Sequence, residues 1–207
     1  MSKQKKFILQ ENEIPTQWYN IQADMVNKPL PLLNPKTKQP VTVEDLAQIF
    51  NLECSKQELD TQHAWIDIPE PVREMYTYYR ATPLVRAYAL EKALDTPAHI
   101  YFKNESVNPL GSHKINSALA QCYYCKQEGT TNVTTETGAG QWGAALSYAA
   151  KIFGLEAAVY QVKISMQQKP YRSSIMRTFG ATVEGSPSMS TRAGKDIITR
   201  DPHHQGS

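Results

Sequence analysis

From residue 98 onward, apolar positions repeat with two different periods, and the periods alternate. His99–Lys103 (HIYFK) reads as a strand. Residues 113–127 read as a helix, because Ile115, Ala118, Leu119 and Cys122 fall on one helical face. Asn132–Glu136 (NVTTE) is β-branched and reads as a strand. Ala139–Phe153 reads as a helix stopped by Gly154. Residues 156–164 form a second β-rich run. Pro170–Phe179 reads as a helix closed by Gly180, followed by a short strand at 181–185 and a last helix at Ser190–Thr199. Alternation of this kind predicts an α/β fold of βαβ units, with a small, open parallel sheet of four strands and right-handed crossovers. The final DPHHQGS is polar and closes no element.

Residues 1–83 have a different texture. Eight of the 13 prolines lie between Pro15 and Pro83, and no glycine precedes Gly111. Proline removes backbone donors and interrupts regular elements, so this stretch reads as an extended, wrapping arm. One helix is expected inside it, where Thr42-Val-Glu-Asp45 resembles a capping box ahead of Leu46, Ala47, Ile49 and Phe50. A second is expected near Val85–Leu94. The division that follows is an N-terminal proline-rich arm with short helices over 1–97 and an α/β domain over 98–207. The chain has no internal repeat and no low-complexity segment.

Composition narrows the function classes. Apolar residues make up 41% and charged residues 20%, which excludes a disordered chain. The charge sum of 22 − 20 = +2 is too balanced to argue for nucleic acid or a membrane surface. No apolar run approaches the roughly 18 residues of a membrane span. The start, MSKQKKFILQENEIP, has too short an apolar stretch for a signal peptide. Three cysteines fit a reducing cytoplasm better than a disulfide framework. Cys122-Tyr-Tyr-Cys125 lies inside an expected helix with no second ligand pair, so no metal site is expected. His203 and His204 sit in the polar tail and read as solvated. The Tyr76, Tyr78 and Tyr79 group reads as packing for the arm.

Two segments carry candidate chemistry. In Asn108-Pro-Leu-Gly-Ser-His-Lys-Ile-Asn116, a turn delivers Lys114 to a helix start. A cation is poorly placed there for helix stability. Burial and a helix start both favour the neutral amine that Schiff-base chemistry needs. An ordinary solvated lysine is the plainer alternative. In Glu136-Thr-Gly-Ala-Gly-Gln-Trp-Gly143, glycines let the backbone approach a ligand, and the following helix start offers free N–H groups to an anion. Gly138, Gly140 and Gly143 match G-x-G-x-x-G, but no acidic residue stands about 20 positions on to take a ribose. No Gly-Lys-Ser/Thr follows, so it is not a Walker loop. A plain strand-to-helix turn remains the alternative. Lys114 and Glu136 both fall at or just beyond strand carboxyl ends, the edge at which open α/β sheets bind ligands.

These residues carry a resemblance. GSHKIN and TTETGAGQWG together resemble the tryptophan synthase β chain family, whose members are fold-type II pyridoxal-phosphate enzymes. RATPLVRAYALEKAL, YCKQEG and QKPYRSSIMRTFGA are similar to its long, stand-alone branch, which carries Gln-Trp-Gly where the common branch has Gln-His-Gly. The resemblance covers residues 15–207 and implies a parallel-sheet βαβ domain cut off before its second half, the N-terminal part of a longer enzyme. It implies pyridoxal 5'-phosphate as cofactor, Lys114 as the lysine that carries it, and His113 beside the cofactor phosphate. It further implies Glu136 as the acid–base carboxylate. Thr137, Gly138, Ala139, Gly140 and Gln141 become the cradle for the substrate carboxylate. The implied reaction is a lyase-type β-replacement that joins L-serine to indole through a pyridoxal-phosphate aminoacrylate, giving L-tryptophan and water. Another fold-type II lyase, of the serine or threonine dehydratase or threonine synthase kind, is the alternative, and an inactive fragment that needs its missing half is a further one. A homodimer in the full-length form and an α-chain partner are implied as well. The glycine- and serine-rich phosphate loop and the partner of the pyridine nitrogen have no counterpart in this sequence.

Overall fold

A computed structural model describes residues 4–206; residues 1–3, part of the basic start weighed above as a leader, lie outside the described residues. The described strands form three sheets. Strands β1 (Lys6–Phe7), β4 (Leu84–Arg86) and β5 (Tyr101–Lys103) make an antiparallel sheet in the order β1-β4-β5. Strands β2 (Gln17–Tyr19) and β3 (Trp65–Asp67) pair as an antiparallel ribbon. Strands β6 (Asn132–Thr137), β7 (Glu156–Val162) and β8 (Thr182–Ser186) form a parallel sheet in chain order, with Thr137 opposite Gln161 and Val159 opposite Val183.

Helices α6 (Gln141–Phe153) and α8 (Pro170–Thr178) pack on the parallel sheet, and α5 (Lys114–Gln127) packs on α6 and α3 (Glu70–Thr77), each through an apolar face. Helix α5 buries Ile115, Ala118, Leu119 and Cys122, the face that the spacing predicts. Helix α6 is nearly all small residues on its inner side, with Gly143, Ala144, Ala145, Ser147, Ala149 and Ala150 all buried. Small side chains let the helix approach the sheet closely. A Cβ on Gly143 would stand 2.7 Å from Met176 Sδ and 2.8 Å from Val159 Cγ1. Gly154 closes α6 with φ +65°, the left-handed conformation that glycine adopts without a steric penalty. Helix α8 (Pro170–Thr178) adds Met176 to the same core, and α9 (Arg192–Arg200) is capped by the Thr191 hydroxyl, which accepts from Gly194 N at 3.0 Å.

The arm holds helices α1 (Val43–Leu46), α2 (Leu52–Leu59), α3 (Glu70–Thr77) and α4 (Tyr88–Ala93). The box at α1 forms as read: Thr42 Oγ1 accepts from Asp45 N at 3.1 Å, and Asp45 Oδ2 accepts from Thr42 N at 3.0 Å. Helices α2 and α3 escape the proline-based reading. Asn51 caps α2, accepting from Cys54 N at 2.8 Å. Pro69 and Pro71 flank the start of α3, where a missing N–H removes no intrahelical bond. Val72 and Tyr76 of α3 are fully buried against α5.

Three other expectations need correction. The strand at 99–103 does not join the parallel sheet, which has three strands rather than four; β5 pairs antiparallel with β4, Leu84 opposite Lys103. Strand β7, at the centre of the parallel sheet, buries alternate residues. Tyr101, Phe102 and Lys103 are all exposed, and Lys103 suits only an open sheet. Residues 163–164 leave the strand and open a short helix, α7 (Lys163–Gln168). Finally, the polar tail is tied down in part, since Gln205 O accepts from Ile164 N at 3.0 Å. The three cysteines are free, and burial raises the Cys122 thiol to about 12. Among the described residues no group of His, Cys, Asp and Glu could hold a metal ion, and no helix is long and apolar enough to cross a membrane.

Candidate functional site

Topology brings two helix starts to one edge. The turn at Gly129 feeds the end of α5 into the amino end of β6. The 14 residues of α5 then carry its start back by about 21 Å, toward the carboxyl edge of the sheet. Helix α6 leaves β6 at that same edge. Lys114, the first residue of α5, and Gly138–Gln141, the entry to α6, therefore share the side at which such sheets bind ligands.

The start of α5 is held by side chains on both sides. Before it, the buried Asn108 binds the turn: Oδ1 accepts from Leu110 N at 3.0 Å and from Ser112 N at 3.2 Å, and Nδ2 donates to Ser112 O at 3.1 Å. Behind it, Tyr76 OH donates to Asn116 O at 2.7 Å and Tyr79 OH donates to Asn116 Oδ1 at 2.8 Å. Burial pushes the Tyr76 hydroxyl up to about 12 and raises Tyr79 as well, so both stay protonated donors at neutral pH. Lys114 is half-buried, and among the described residues its ε-amine has no hydrogen bond and no ion pair. His113 is exposed at the N-cap position and makes no side-chain cap. The other lysine at a strand end, Lys103, is engaged: its amine donates to Thr82 O and Thr82 Oγ1, and burial lowers its pKa.

The start of α6 is built the opposite way. Its N-cap residue is Gly140 at φ +89°, which has no side chain to cap the helix. A Cβ there would meet Arg172 Cβ at 2.8 Å and Gln161 Nε2 at 3.1 Å, so conformation and space both require glycine. Thr137 is 3% exposed, and its hydroxyl accepts from Gly143 N at 3.2 Å. Gly138, Ala139 and Gln141 are exposed. Gln161, wholly buried at the end of β7, accepts from Ser173 Oγ at 3.0 Å, while its Nε2 finds no partner. Sequence reasoning missed Gln161, and it missed the reach of Arg172, whose Nη1 donates to Leu110 O at 3.5 Å. Neither leaves a signal in a linear reading, because Gln161 arrives through the pairing of β7 with β6 and Arg172 only once α7 and α8 fold back.

Glu136 is exposed on the wall of a cleft of about 550 Å³ along β6, together with Thr135, Trp142, Phe50 and Asn51. Trp142 Nε1 donates to Thr135 Oγ1 at 2.9 Å, which pins the indole to the strand it follows. Lys114 stands outside the walls of that cleft.

The family model of pyridoxal-phosphate dependent enzymes matches residues 75–201, which include both helix starts. The chain belongs to that family. Its likeness to curated proteins is high. It is 52% identical over 199 residues to tryptophan synthase beta chain 2 of Thermotoga maritima, covering 96% of this chain and 47% of that one. It is 50% identical over 202 residues to the tryptophan synthase beta chain of Thermococcus gammatolerans, covering 97% and 46%. It is likewise 50% identical over 203 residues to tryptophan synthase beta chain 2 of Pyrococcus furiosus, covering 98% and 45%. The chain thus spans about half the length of the curated relatives it matches. A solved pyridoxal 5'-phosphate-dependent aspartate racemase overlaps 66% of this chain and 42% of its own, at 22% identity and a TM-score of 0.48.

The family's cofactor carries an aldehyde, and the residues at this edge fit it. An unpaired, half-buried amine is what an aldehyde needs from a lysine, and Lys114 supplies one. The start of α6 over glycine, with the orphaned amide of Gln161 beneath it, suits an anion such as a substrate carboxylate.

Proposed function

We propose that this chain carries the cofactor lysine and the acid–base carboxylate of a tryptophan synthase of the β type, which joins L-serine to indole. The observation that carries the reading is the contrast between two lysines: Lys103 is bound to Thr82, while Lys114, at the start of α5, keeps its amine free. Identity near one half to proteins named tryptophan synthase beta chain supports the choice of reaction. Pyridoxal phosphate, when bound, supplies an electron sink for negative charge at the substrate Cα.

The chain's own residues do the rest. Lys114 would hold the cofactor through its amine, and the same amine, when free, would take the substrate Cα proton. His113, at the same turn, would help to hold the cofactor phosphate. Thr137, Gly138, Ala139, Gly140 and Gln141 hold the substrate carboxylate, which directs the Cα–H bond at Lys114. The Thr137 hydroxyl braces the turn by accepting from Gly143 N and keeps its own O–H to donate. Glu136 gives a proton to the departing hydroxyl and then faces the N–H of indole as indole attacks through carbon. Its place in an open cleft with an aromatic wall suits a flat co-substrate. A homodimer, an α-chain partner and a cytoplasmic setting belong to the same proposal, as does the division into an arm over 1–97 and a cofactor unit over 98–207.

The test uses the chain completed to the length of its relatives, supplied with cofactor, serine and indole. Tryptophan should form, and Glu136→Gln should lower the rate by about 10²–10⁴-fold with the cofactor absorption retained. Undiminished turnover by Glu136→Gln removes the role. Rapid deamination of serine with no tryptophan formed assigns the chain to a dehydratase instead.

A further inference from the structure

We propose that Asn108 is the positioning residue for Lys114, and that Glu105 sets Asn108. The inference rests on the reading of Lys114 as the cofactor lysine.

Asn108 is 5% exposed and uses both ends of its amide. An ordinary Asn turn needs only Oδ1. Here Oδ1 takes the Leu110 and Ser112 amides, and Nδ2 gives to Ser112 O and, at 2.9 Å, to Glu105 Oε2. The reversed amide would point its NH₂ at two N–H donors and its oxygen at a carbonyl and a carboxylate, so one orientation alone satisfies the site. Glu105 in turn accepts from Thr82 Oγ1 at 2.7 Å, and Thr82 accepts from Lys103. The network runs from the antiparallel sheet, through Thr82 and Glu105, into the turn. It ends on Ser112, whose Oγ accepts from Lys114 N at 3.4 Å.

The physical consequence is directional. A Lys114 side chain rooted in a free turn would sample many directions. A turn closed by these bonds, with Asn116 clamped by Tyr76 and Tyr79 on the other side, fixes the Cα–Cβ vector from which the amine extends. Each of these groups is buried or half-buried, so losing a partner costs more than an exposed bond would. The pairing of β5 with β4 belongs to this device, since it brings Lys103 opposite Leu84 and so beside Thr82.

The experiment exposes the chain to pyridoxal phosphate, reduces it with borohydride and maps the labelled lysines by mass spectrometry. In the wild type Lys114 should take most of the label. Asn108→Asp keeps the size and the acceptors but loses both donations and faces Glu105 with a like charge. It should lower the share at Lys114 by about tenfold while labelling of the exposed lysines stays constant. Adding Glu105→Gln to Asn108→Asp restores a donor–acceptor pair and should recover most of the selectivity, which general destabilisation would not do. Should Asn108→Asp fail to fold by circular dichroism, Glu105→Ala is read in the same way. Equal labelling of Lys114 in every folded variant overturns the inference. Hydrogen exchange at the Leu110 and Ser112 amides is measured without cofactor and should quicken in Asn108→Asp; unchanged exchange also overturns it. If the wild type leaves Lys114 unlabelled while this exchange quickens, the cofactor reading fails and the turn-locking role stands.

Discussion

The starts of α5 and α6 face the same edge of the molecule and are built by opposite means. At α5 the backbone is closed by side chains: Asn108 and Ser112 before the helix, Tyr76 and Tyr79 against Asn116 behind it. At α6 the N-cap residue is a glycine at φ +89° with no side chain to cap the helix, and Thr137 meets only Gly143 N, so the Gln141 and Trp142 amides stay bare among the described residues. The difference matches what each has to present. A lysine amine on a long, flexible stem must be aimed, which calls for a rigid root. An anion is met by the backbone itself, which calls for the absence of side chains. One loop is therefore rich in hydrogen-bonding residues and the other in glycine.

Three substitutions would break or sharpen this contrast. The largest effect should come from Lys114→Ala, which should remove the dominant site of borohydride-stable cofactor labelling, read by mass spectrometry, and leave only the label on exposed lysines. A dominant label persisting on another lysine in Lys114→Ala would contradict the division of roles.

Gly140→Ala tests the other start. The new Cβ would take a positive φ and stand 2.8 Å from Arg172 Cβ. The left-handed conformation alone costs about 1–2 kcal/mol, and the clash adds to it. A lowered denaturation midpoint is expected, together with weaker binding of a carboxylate ligand by calorimetry. An unchanged midpoint would mean that this turn does not need glycine.

The smallest of these effects should be that of Tyr79→Phe. It removes one donor from Asn116 Oδ1 and should cost about 1 kcal/mol in urea unfolding. Its effect on the choice of lysine should be slighter than that of Asn108→Asp, because Tyr76 still holds the Asn116 carbonyl. A larger loss of selectivity from Tyr79→Phe than from Asn108→Asp would move the aiming role to the far side of Lys114.

Much of the parallel unit is legible in the sequence because its cues are local. The helix spacing of Ile115, Ala118, Leu119 and Cys122, the β-branched run at 132–136 and the stops at Gly154 and Gly180 each act within a few residues. The candidate residues Lys114, Glu136 and Gly138–Gln141 follow from the same local logic. The arm was harder to read because proline punctuates it without saying what lies between. Pro69 and Pro71 stand at a helix start, where proline is tolerated, so the same residues that signal a break also open α3.

The sequence by itself determined the alternation of strand and helix and the kinds of residue each loop offers. These depend on periodicity and on backbone conformations that only glycine or a capping residue can take. Tertiary structure alone decided which lysine is free. Lys103 and Lys114 both follow short strands or turns in the sequence, and only the pairing of β5 with β4 places Lys103 against Thr82. It alone decided that Asn108 meets Glu105, that Gln161 lies beneath Gly140, and that Glu136 opens onto a cleft whose walls exclude Lys114. The physical reason is that a side chain's partners are set by surfaces meeting across the fold, and a local pattern carries no information on which surfaces meet.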